Sequence, residues 1–209
     1  MNPDEIVEIA IHAGQKIMEI YNTAGDIEVE IKGDESPLTK ADLAAHKAIV
    51  TGLQAIDDTP IVSEEGREGN PMTSTTCWLV DPLDGTKEFI KRNGMFTVNI
   101  ALMRRNKSRW VPIFGVVHAP VTGDTWYGGE GYPSQKKGPA GTTPILTHSN
   151  KETVKLVASG SHRGEKDETF AVAVGQHELI RMGSSLKACI VAEGGADLYP
   201  RFGPTSCWD

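Results

Sequence analysis

The sequence predicts an α/β (α+β) protein, because short apolar runs end in polar residues and then lead into helices. Residues 79–80 stop at two aspartates, Asp81 and Asp84, and residues 155–158 stop at a Ser-Gly-Ser sequence. Residues 178–182 end at Gly-Ser-Ser, ahead of a helix at about residues 186–193. Strands that end in this way are typical of α/β folds, in which ligands bind at the carboxyl ends of the strands.

Composition limits the classes of partner. With 209 residues, of which 39% are hydrophobic, the chain can bury one large core or two small ones. Its formal net charge of -7 argues against a nucleic-acid polymer or an anionic membrane as the main partner. A small anionic substrate is compatible with this charge if metal ions screen the carboxylates of the protein from it.

The cysteines and the N-terminus predict a cytoplasmic protein. Cys77, Cys189 and Cys207 cannot all pair and lack CxxC spacing, so we expect reduced thiols. The chain starts with a polar, amphipathic segment, and no apolar run reaches the length of a membrane span. We therefore expect no integral membrane segment, with peripheral association with the inner membrane as an alternative.

Two helices are predicted in the first 55 residues. Asn2-Pro3 caps the first helix. Its apolar face carries Ile6, Ile9, Ala13, Ile17 and Ile20. Residues 27–31 alternate apolar and charged side chains, as a half-exposed strand does. The second helix starts near Thr39, with three residues directed to the core: Leu43, Val50 and Leu53.

The middle of the chain predicts antiparallel strands at residues 96–103, 110–119 and 125–127. Residues 128–148 are rich in Gly, Pro and Lys and are predicted to form a long loop. This loop favours a division of the chain into an N-terminal α+β part, residues 1–130, and a C-terminal α/β part, residues 131–209.

The sequence Asp81-Pro82-Leu83-Asp84-Gly85-Thr86 is the strongest candidate for chemistry. Pro82 is predicted to stop the strand ladder, and Gly85 permits a tight bend, so both carboxylates are held on a stiff turn. Mg²⁺ prefers oxygen ligands of this kind, often completed by waters and a substrate phosphate. The alternative is a turn whose aspartates only accept hydrogen bonds from backbone amides.

Carboxylates elsewhere support a metal-assisted phosphatase. Glu64 follows the short apolar strand at residues 61–63, and the carbonyl of Leu83 adds a further oxygen. Such an inventory suits hydrolysis of a phosphate ester with two or three Mg²⁺ ions. Asp42 has two interpretations, because Thr39 and Asp42 also have the spacing of a capping box. No P-loop, GxGxxG, HExxH or GxSxG motif occurs.

These motifs, with Trp208-Asp209 downstream, resemble the lithium-sensitive, Mg²⁺-dependent phosphatases of the inositol monophosphatase superfamily. The resemblance implies a layered α/β/α/β/α sandwich of the sugar-phosphatase type. It also implies five metal ligands, four carboxylates and the Leu83 carbonyl. The carboxylates are those of Glu64, Asp81, Asp84 and Asp209. Asp42 and Thr86 match the pair that polarises the attacking water, and residues 32–35 match a mobile loop near the third metal.

Within that superfamily, residues 182–187 and 198–204 are similar to the bacterial 3'(2'),5'-bisphosphate nucleotidases of the CysQ type. This similarity implies removal of the 3'-phosphate of adenosine 3',5'-bisphosphate, or of its phosphosulfate relative. The residues implied in substrate binding are Gly85, Thr86, Ser184, Lys187 and Arg201. The alternative is that Lys187 lies on a solvated helix face and that Arg201 pairs with a local acid. His162-Arg163 is a further candidate for contact with the nucleotide.

Two other functions stay open from the residues. The first is an inositol or sugar-phosphate monophosphatase, which needs no second anion site. The second is an inactive nucleotide-binding fragment. Chains of the superfamily continue past the Trp-Asp motif, so we expect this chain to be shortened, and its fold incomplete, at the C-terminus.

Overall fold

An eight-stranded mixed sheet dominates the computed structural model, which describes residues 1–23, 28–31, 33, 37–147, 153–159 and 164–208. The elements before the sheet centre are α1 (Pro3–Tyr21), β1 (Val29–Ile31), β2 (Pro37–Thr39), α2 (Lys40–Gln54), β3 (Ile61–Ser63) and β4 (Gly66–Glu68). The central elements are β5 (Thr76–Asp84), α3 (Thr86–Ile90), β6 (Thr97–Asn106), β7 (Arg109–Ala119) and β8 (Asp124–Gly129). The last are β9 (Tyr132–Gly138), β10 (Gly141–Pro144), β11 (Val154–Ser159), α4 (Glu165–Val174), β12 (His177–Met182) and α5 (Leu186–Ala192).

The large sheet has the strand order β10-β9-β8-β7-β6-β5-β3-β4. Its neighbours are antiparallel except for β3 and β5, which are parallel. Helices α1 and α2 contact each other and the sheet, and their buried side chains form one hydrophobic core with those of the strands. The mixed α/β class predicted from the sequence is confirmed.

Helix α1 buries the predicted face. Ile6, Ala13 and Ile17 are fully buried, whereas Ile9 and Ile20 are partly buried at its margins. Asn2 accepts a hydrogen bond from the amide of Asp4, as expected of the residue that caps the helix.

The predicted core face of α2 was only partly right. Leu53 is buried and Val50 partly so, but Leu43 is 49% exposed. Thr39 caps the helix, and this start directs a different row of residues to the core at intervals of four. That row consists of Ala41, Ala45, Ile49 and Leu53.

The antiparallel strands in the middle of the chain are confirmed as β6, β7 and β8. The predicted loop at residues 128–148 was wrong, because β9 and β10 extend the sheet there. Strand β10 is the edge strand and β9 lies next to it. Polar side chains are tolerated near an edge, so the composition of both strands resembles that of a loop. The division near residue 130 stays a prediction, although both strands beyond it belong to the large sheet.

The C-terminal part contains a separate sheet of two strands. Strands β11 and β12 are parallel, with Ser159 opposite Met182, and both correspond to predicted strands. Helix α5 is also confirmed at Leu186–Ala192, whereas α4 between the strands was not predicted. Its low amphipathicity explains this, since Ala171 is its buried residue.

The segment before α2 differs from its prediction. Val29–Ile31 pairs with β2 as a strand, but all three of its residues are exposed rather than half-exposed. Residue 27 and most of the predicted loop at residues 32–35 lie outside the described residues. Among the described helices, none combines the length and apolar character needed to cross a membrane.

Candidate active site

The ends of two parallel strands bring the first carboxylates together. Strand β3 pairs with β5 so that Ser63 lies opposite Val80. The amide of Glu64 then donates to the carbonyl of Val80 over 3.0 Å. Glu64 and Asp81 therefore follow their strands at the same edge of the sheet, as their positions after apolar runs indicated.

The segment between Asp81 and Asp84 is a bulge rather than a strand end. Asp81 lies opposite Asn99 and Asp84 lies opposite Thr97, with a register shift between them. The prediction that Pro82 stops the ladder was wrong. Residues 82 and 83 bulge out without a partner in β6, and strand pairing resumes at Asp84. Asp81 Oδ1 accepts from the amide of Leu83 over 3.1 Å, which stiffens the bulge.

Gly85 makes the turn that follows. Its φ of 94° lies in the left-handed region, which glycine adopts without the penalty of a side chain. A Cβ atom at this position would also lie 3.0 Å from the Met95 carbonyl oxygen and 3.2 Å from Ser184 Cβ. The glycine thus permits close contact between this turn and the one that precedes α5.

Asp42 and Thr86 are in contact. Thr86 Oγ1 lies 3.3 Å from Asp42 Oδ1 and 3.3 Å from the Leu83 carbonyl oxygen, so its hydroxyl can donate to either. Asp42 Oδ2 accepts from the amide of Thr39 at 2.8 Å and from its hydroxyl at 2.6 Å. Asp42 is therefore the capping-box carboxylate of α2 and also contacts Thr86, while its role in polarising the attacking water stays a prediction.

Asp84 is held from the opposite side of the cleft. Its Oδ2 accepts a hydrogen bond from the hydroxyl of Ser185 at 2.6 Å and one from the side-chain amide, Nδ2, of Asn99 at 3.4 Å. The same amide donates to Ser185 Oγ at 2.8 Å. The three side chains join the large sheet to the turn before α5.

Cationic residues line the other side of the cleft. Lys187 is buried, donates to the Ser184 carbonyl at 2.5 Å and lies 5.5 Å from the centre of the Tyr199 ring. The alternative of a solvated Lys187 is therefore wrong. Arg201 is exposed and donates to Thr205 Oγ1 at 3.0 Å and to the Pro204 carbonyl at 2.6 Å, and within the described part of the chain it has no acidic partner.

These groups border a cleft of about 330 Å³. It is lined by nine of the predicted site residues: Glu64, Asp81, Leu83, Asp84, Gly85, Thr86, Ser184, Lys187 and Arg201. A second cavity, of about 700 Å³, adjoins it and shares Ser159, Tyr199 and Arg201 with it. Asp42 contacts the cleft through Thr86, whereas Asp209 and His162-Arg163 lie outside the described residues.

The predicted site residues do not include Asn99, Tyr199 or Ser185, which line the cleft or contact Asp84. Asn99 interrupts the buried run Val98-Asn99-Ile100, and this polar residue among apolar neighbours was an available signal. In the sequence, Ser185 stands out only as part of a polar Gly-Ser-Ser turn. Its contact with Asp84 spans 101 residues of sequence, and no local pattern indicates such a contact.

The donors in the cleft have the chemistry that a hard divalent cation requires. Glu64, Asp81 and Asp84 supply carboxylates and Leu83 a carbonyl, all on its lining. Within the described residues, no group of three or more His, Cys, Asp or Glu side chains is arranged to hold a metal ion unaided.

The cysteines do not supply a nucleophile to this cleft. Burial is the main cause that raises the pKa of Cys189 to about 12, and burial likewise raises the pKa of Cys77. Both thiols therefore stay protonated at neutral pH. All three cysteines are free, as predicted, and Cys207 is exposed.

Comparison with family models matches residues 4–209 to the inositol monophosphatase family. The chain belongs to this family. The resemblance inferred from its motifs is therefore confirmed over almost the whole sequence.

Curated relatives share the bisphosphate nucleotidase name. The chain is 44% identical over 209 residues to the 3'(2'),5'-bisphosphate nucleotidase CysQ of Salmonella typhimurium, and the match covers 99% of this chain and 82% of that protein. The protein of the same name from Escherichia coli K12 has the same identity and coverage.

Solved structures share the fold. The crystal structure of CysQ from Bacteroides thetaiotaomicron superposes with a TM-score of 0.85 and 38% identity, covering 100% of this chain and 82% of that one. The IMPase of Thermotoga maritima superposes with a TM-score of 0.76 over 92% of this chain and 73% of its own, at 24% identity. The latter similarity concerns the fold alone.

Proposed function

We propose that this protein is a Mg²⁺-dependent, lithium-sensitive phosphatase that hydrolyses the 3'-phosphate of adenosine 3',5'-bisphosphate to give AMP and phosphate. Its phosphosulfate relative is a second candidate substrate of the same site. The proposal places the enzyme in the cytoplasm, in line with its free thiols.

The observation that carries the proposal is a cleft with opposite charges on its two sides. The side next to β5 holds the carboxylates together with Lys87 of α3, and the side next to α5 holds Lys187 and Arg201. A substrate with two separate phosphates suits this arrangement, because one phosphate needs metal ions near the carboxylates and the other is attracted directly by the cations. The adjoining cavity, bordered by Tyr199 and Phe202, offers space for a nucleoside.

The names of the curated relatives also favour a nucleotide over an inositol phosphate. An inositol monophosphate has no second phosphate to contact Lys187. The buried position of this lysine, close to the Tyr199 ring, would then serve no purpose in binding.

Bound Mg²⁺ would supply Lewis-acid chemistry: it would neutralise the phosphoryl oxygens and lower the pKa of a water. Glu64, Asp81, Asp84, the Leu83 carbonyl and Asp209 are the residues that we assign to holding two or three ions. The carboxylate of Asp42 is fixed by Thr39 and accepts the hydrogen bond of the Thr86 hydroxyl. A lone pair of Thr86 Oγ1 can then accept a hydrogen bond from the attacking water and orient that water toward phosphorus. Asp42 can take up the proton that the water releases through the Thr86 hydroxyl, which gives its own proton to Asp42 as it receives the one from the water.

The proposal is tested by measuring phosphate release from adenosine 3',5'-bisphosphate and from inositol 1-phosphate, side by side with Mg²⁺. We expect release from the nucleotide and inhibition by Li⁺. Release from inositol 1-phosphate alone would overturn the substrate assignment. The absence of release from both would favour the third candidate, a nucleotide-binding chain without activity, and calorimetry with the nucleotide would then detect binding.

Lys187→Met sharpens the choice of substrate, because methionine keeps the apolar stem and removes the charge. We expect the KM for the nucleotide to rise roughly 10- to 100-fold, since a hydrogen bond to a charged group contributes about 1.5–3 kcal/mol. Any activity on inositol 1-phosphate should be unchanged. Lys47→Met is the matched control, because Lys47 is an exposed helix lysine outside the cleft. An unchanged KM for the nucleotide would remove Lys187 from its binding site.

A further inference from the structure

Asn99 and Ser185 contact Asp84 and have no role in the proposed reaction. We infer that these two residues are positioning residues that hold the Asp84 carboxylate in the orientation required to bind a divalent cation. The inference rests on the proposed function, because it assumes that Asp84 is a metal ligand. It adds that the turn before α5 determines metal affinity as well as substrate binding.

The hydrogen bonds have a single consistent direction. The Asn99 amide donates to Ser185 Oγ at 2.8 Å, and the Ser185 hydroxyl donates to Asp84 Oδ2 at 2.6 Å. The amide also lies 3.4 Å from the same carboxylate oxygen. Both donors converge on Oδ2, so the orientation of the whole carboxylate, and with it the direction of Oδ1, is set.

Ser185 uses its hydroxyl in an unusual way for its place in the chain. It occupies the position that caps α5, where a serine normally accepts a hydrogen bond from a backbone amide of the helix. Ser185 makes no such side-chain bond. Its hydroxyl donates to Asp84 instead, so helix α5 lacks the stabilisation that a capping side chain normally provides.

Asn99 is also costly for the fold. It is buried in β6 between Val98 and Ile100, and its Oδ1 has no hydrogen-bond partner in the described structure. An apolar side chain would suit this position of a buried strand better, because a buried carbonyl without a partner is unfavourable. Its donor contacts with Asp84 and Ser185 give this polar residue a purpose.

Backbone packing keeps the turn before α5 close to Asp84. A Cβ atom on Gly183 would lie 2.8 Å from the Met95 carbonyl oxygen, and one on Gly85 would lie 3.2 Å from Ser184 Cβ. Ser184 adopts a φ of 47°, a strained value for a residue with a side chain. The two turns therefore touch directly, and the position of Ser185 relative to Asp84 follows from this packing.

The test measures binding of Mn²⁺ to the full chain by electron paramagnetic resonance, without substrate, so that the readout does not depend on turnover. We expect Ser185→Ala to weaken Mn²⁺ binding roughly 10- to 100-fold, as is typical when a residue that orients a metal ligand is removed. Ser185→Thr keeps the hydroxyl and should restore most of the affinity. Ser108→Ala, in an exposed turn, is the matched control and should bind like the wild type.

Asn99→Ser provides an independent variant, because serine is too short to contact both partners. It should weaken Mn²⁺ binding in the same direction. The double variant should lose less than the sum of the two single losses, since both act on one carboxylate. A purely structural role would instead lower the melting temperature of all these variants and leave their Mn²⁺ affinity unchanged.

The outcomes separate this inference from the proposed function. If the wild type binds Mn²⁺ and both Ser185→Ala and Asn99→Ser bind it within about twofold of the wild type, the inference is overturned and the phosphatase proposal stands. If the wild type binds no Mn²⁺, either alone or with the products AMP and phosphate added, both are overturned. Loss of affinity in Ser185→Ala with recovery in Ser185→Thr supports the inference.

Discussion

The two sides of the cleft are built on regions of very different size. The carboxylates follow strands of an eight-stranded sheet whose core includes α1 and α2. Ser184 and Lys187 follow a sheet of two strands. Both regions use the same device, a polar turn after parallel strands, but they provide opposite charges. The extensive core of the large region suits side chains that must stay fixed. The position of the small region depends instead on its contacts with the large one.

Those contacts lie at both ends of α5. Before its first residue, Ser185 donates to Asp84. After its last residue, Glu193 accepts from Trp126 Nε1 at 2.8 Å and lies 3.0 Å from Lys136 Nζ. Lys136 also contacts Asp124 over 3.3 Å. The helix that bears Lys187 is thus tied to strands β5, β6, β8 and β9, so the small region is positioned by side chains of the large one.

The largest effect is expected from the carboxylate side. Asp84→Asn keeps the size of the side chain and can still accept from Ser185, but it removes the charge. We expect turnover to fall about 10³-fold or more, because a catalytic metal contributes several kcal/mol to stabilising the transition state. The change is measured as phosphate release under saturating Mg²⁺ and nucleotide.

Two comparisons keep this prediction specific. Asp58→Asn removes an exposed carboxylate outside the cleft and should leave the rate unchanged. A thermal melt of Asp84→Asn should show an intact fold. Activity near that of the wild type in an intact Asp84→Asn would contradict the assignment of Asp84 as a metal ligand.

The second prediction concerns acid and the large region. His118 is buried, with Nδ1 2.8 Å from Thr125 Oγ1, and its ring packs against Gly14 of α1 so closely that a Cβ there would lie 2.5 Å from Cδ2. Burial lowers the pKa of His118 to about 4 and outweighs the opposing effect of Asp124. In the unfolded chain histidine titrates near pH 6.5, so between these values only the unfolded state takes up the proton.

The contribution of neutral, buried His118 to the free energy of unfolding is therefore fully present above pH 6.5, and it is lost as the pH falls toward 4. At pH 5 it amounts to a loss of about 2 kcal/mol in the free energy of unfolding. His118→Asn keeps a polar group near Thr125 and should remove this part of the pH dependence. Urea unfolding at pH 7.5 and pH 5 measures it, and an equal loss in both proteins would show that other groups are responsible.

How far the sequence could predict these regions depends on the range of the contacts. The carboxylates near β5 were predictable because Glu64 and Asp81 follow short apolar runs, with Asp84 three residues after Asp81, and their motif resembles a known family. The bulge at Pro82 was not, since it depends on pairing with β6. The tie between Ser185 and Asp84 joins residues 101 positions apart, and only the packing of two turns brings them together.

The smallest effect is expected at the far end of α5. Trp126→Phe removes the indole donor to Glu193, whose carboxylate keeps its ion pair with Lys136. We expect a loss of about 1–2 kcal/mol in the free energy of unfolding, the contribution of a hydrogen bond to a charged group in a part-buried place. The KM for the nucleotide should rise by a factor of about 2–5, with a smaller change in the Mg²⁺ requirement, because α5 carries Lys187. Trp110→Phe is the matched control for loss of an indole. Trp110 contacts Arg105 near the start of β7, whereas Trp126 lies opposite Val117 near the end of that strand. Equal effects of the two substitutions on KM would mean that the contacts of Glu193 do not position α5, and that its place is set by the turn at Ser185.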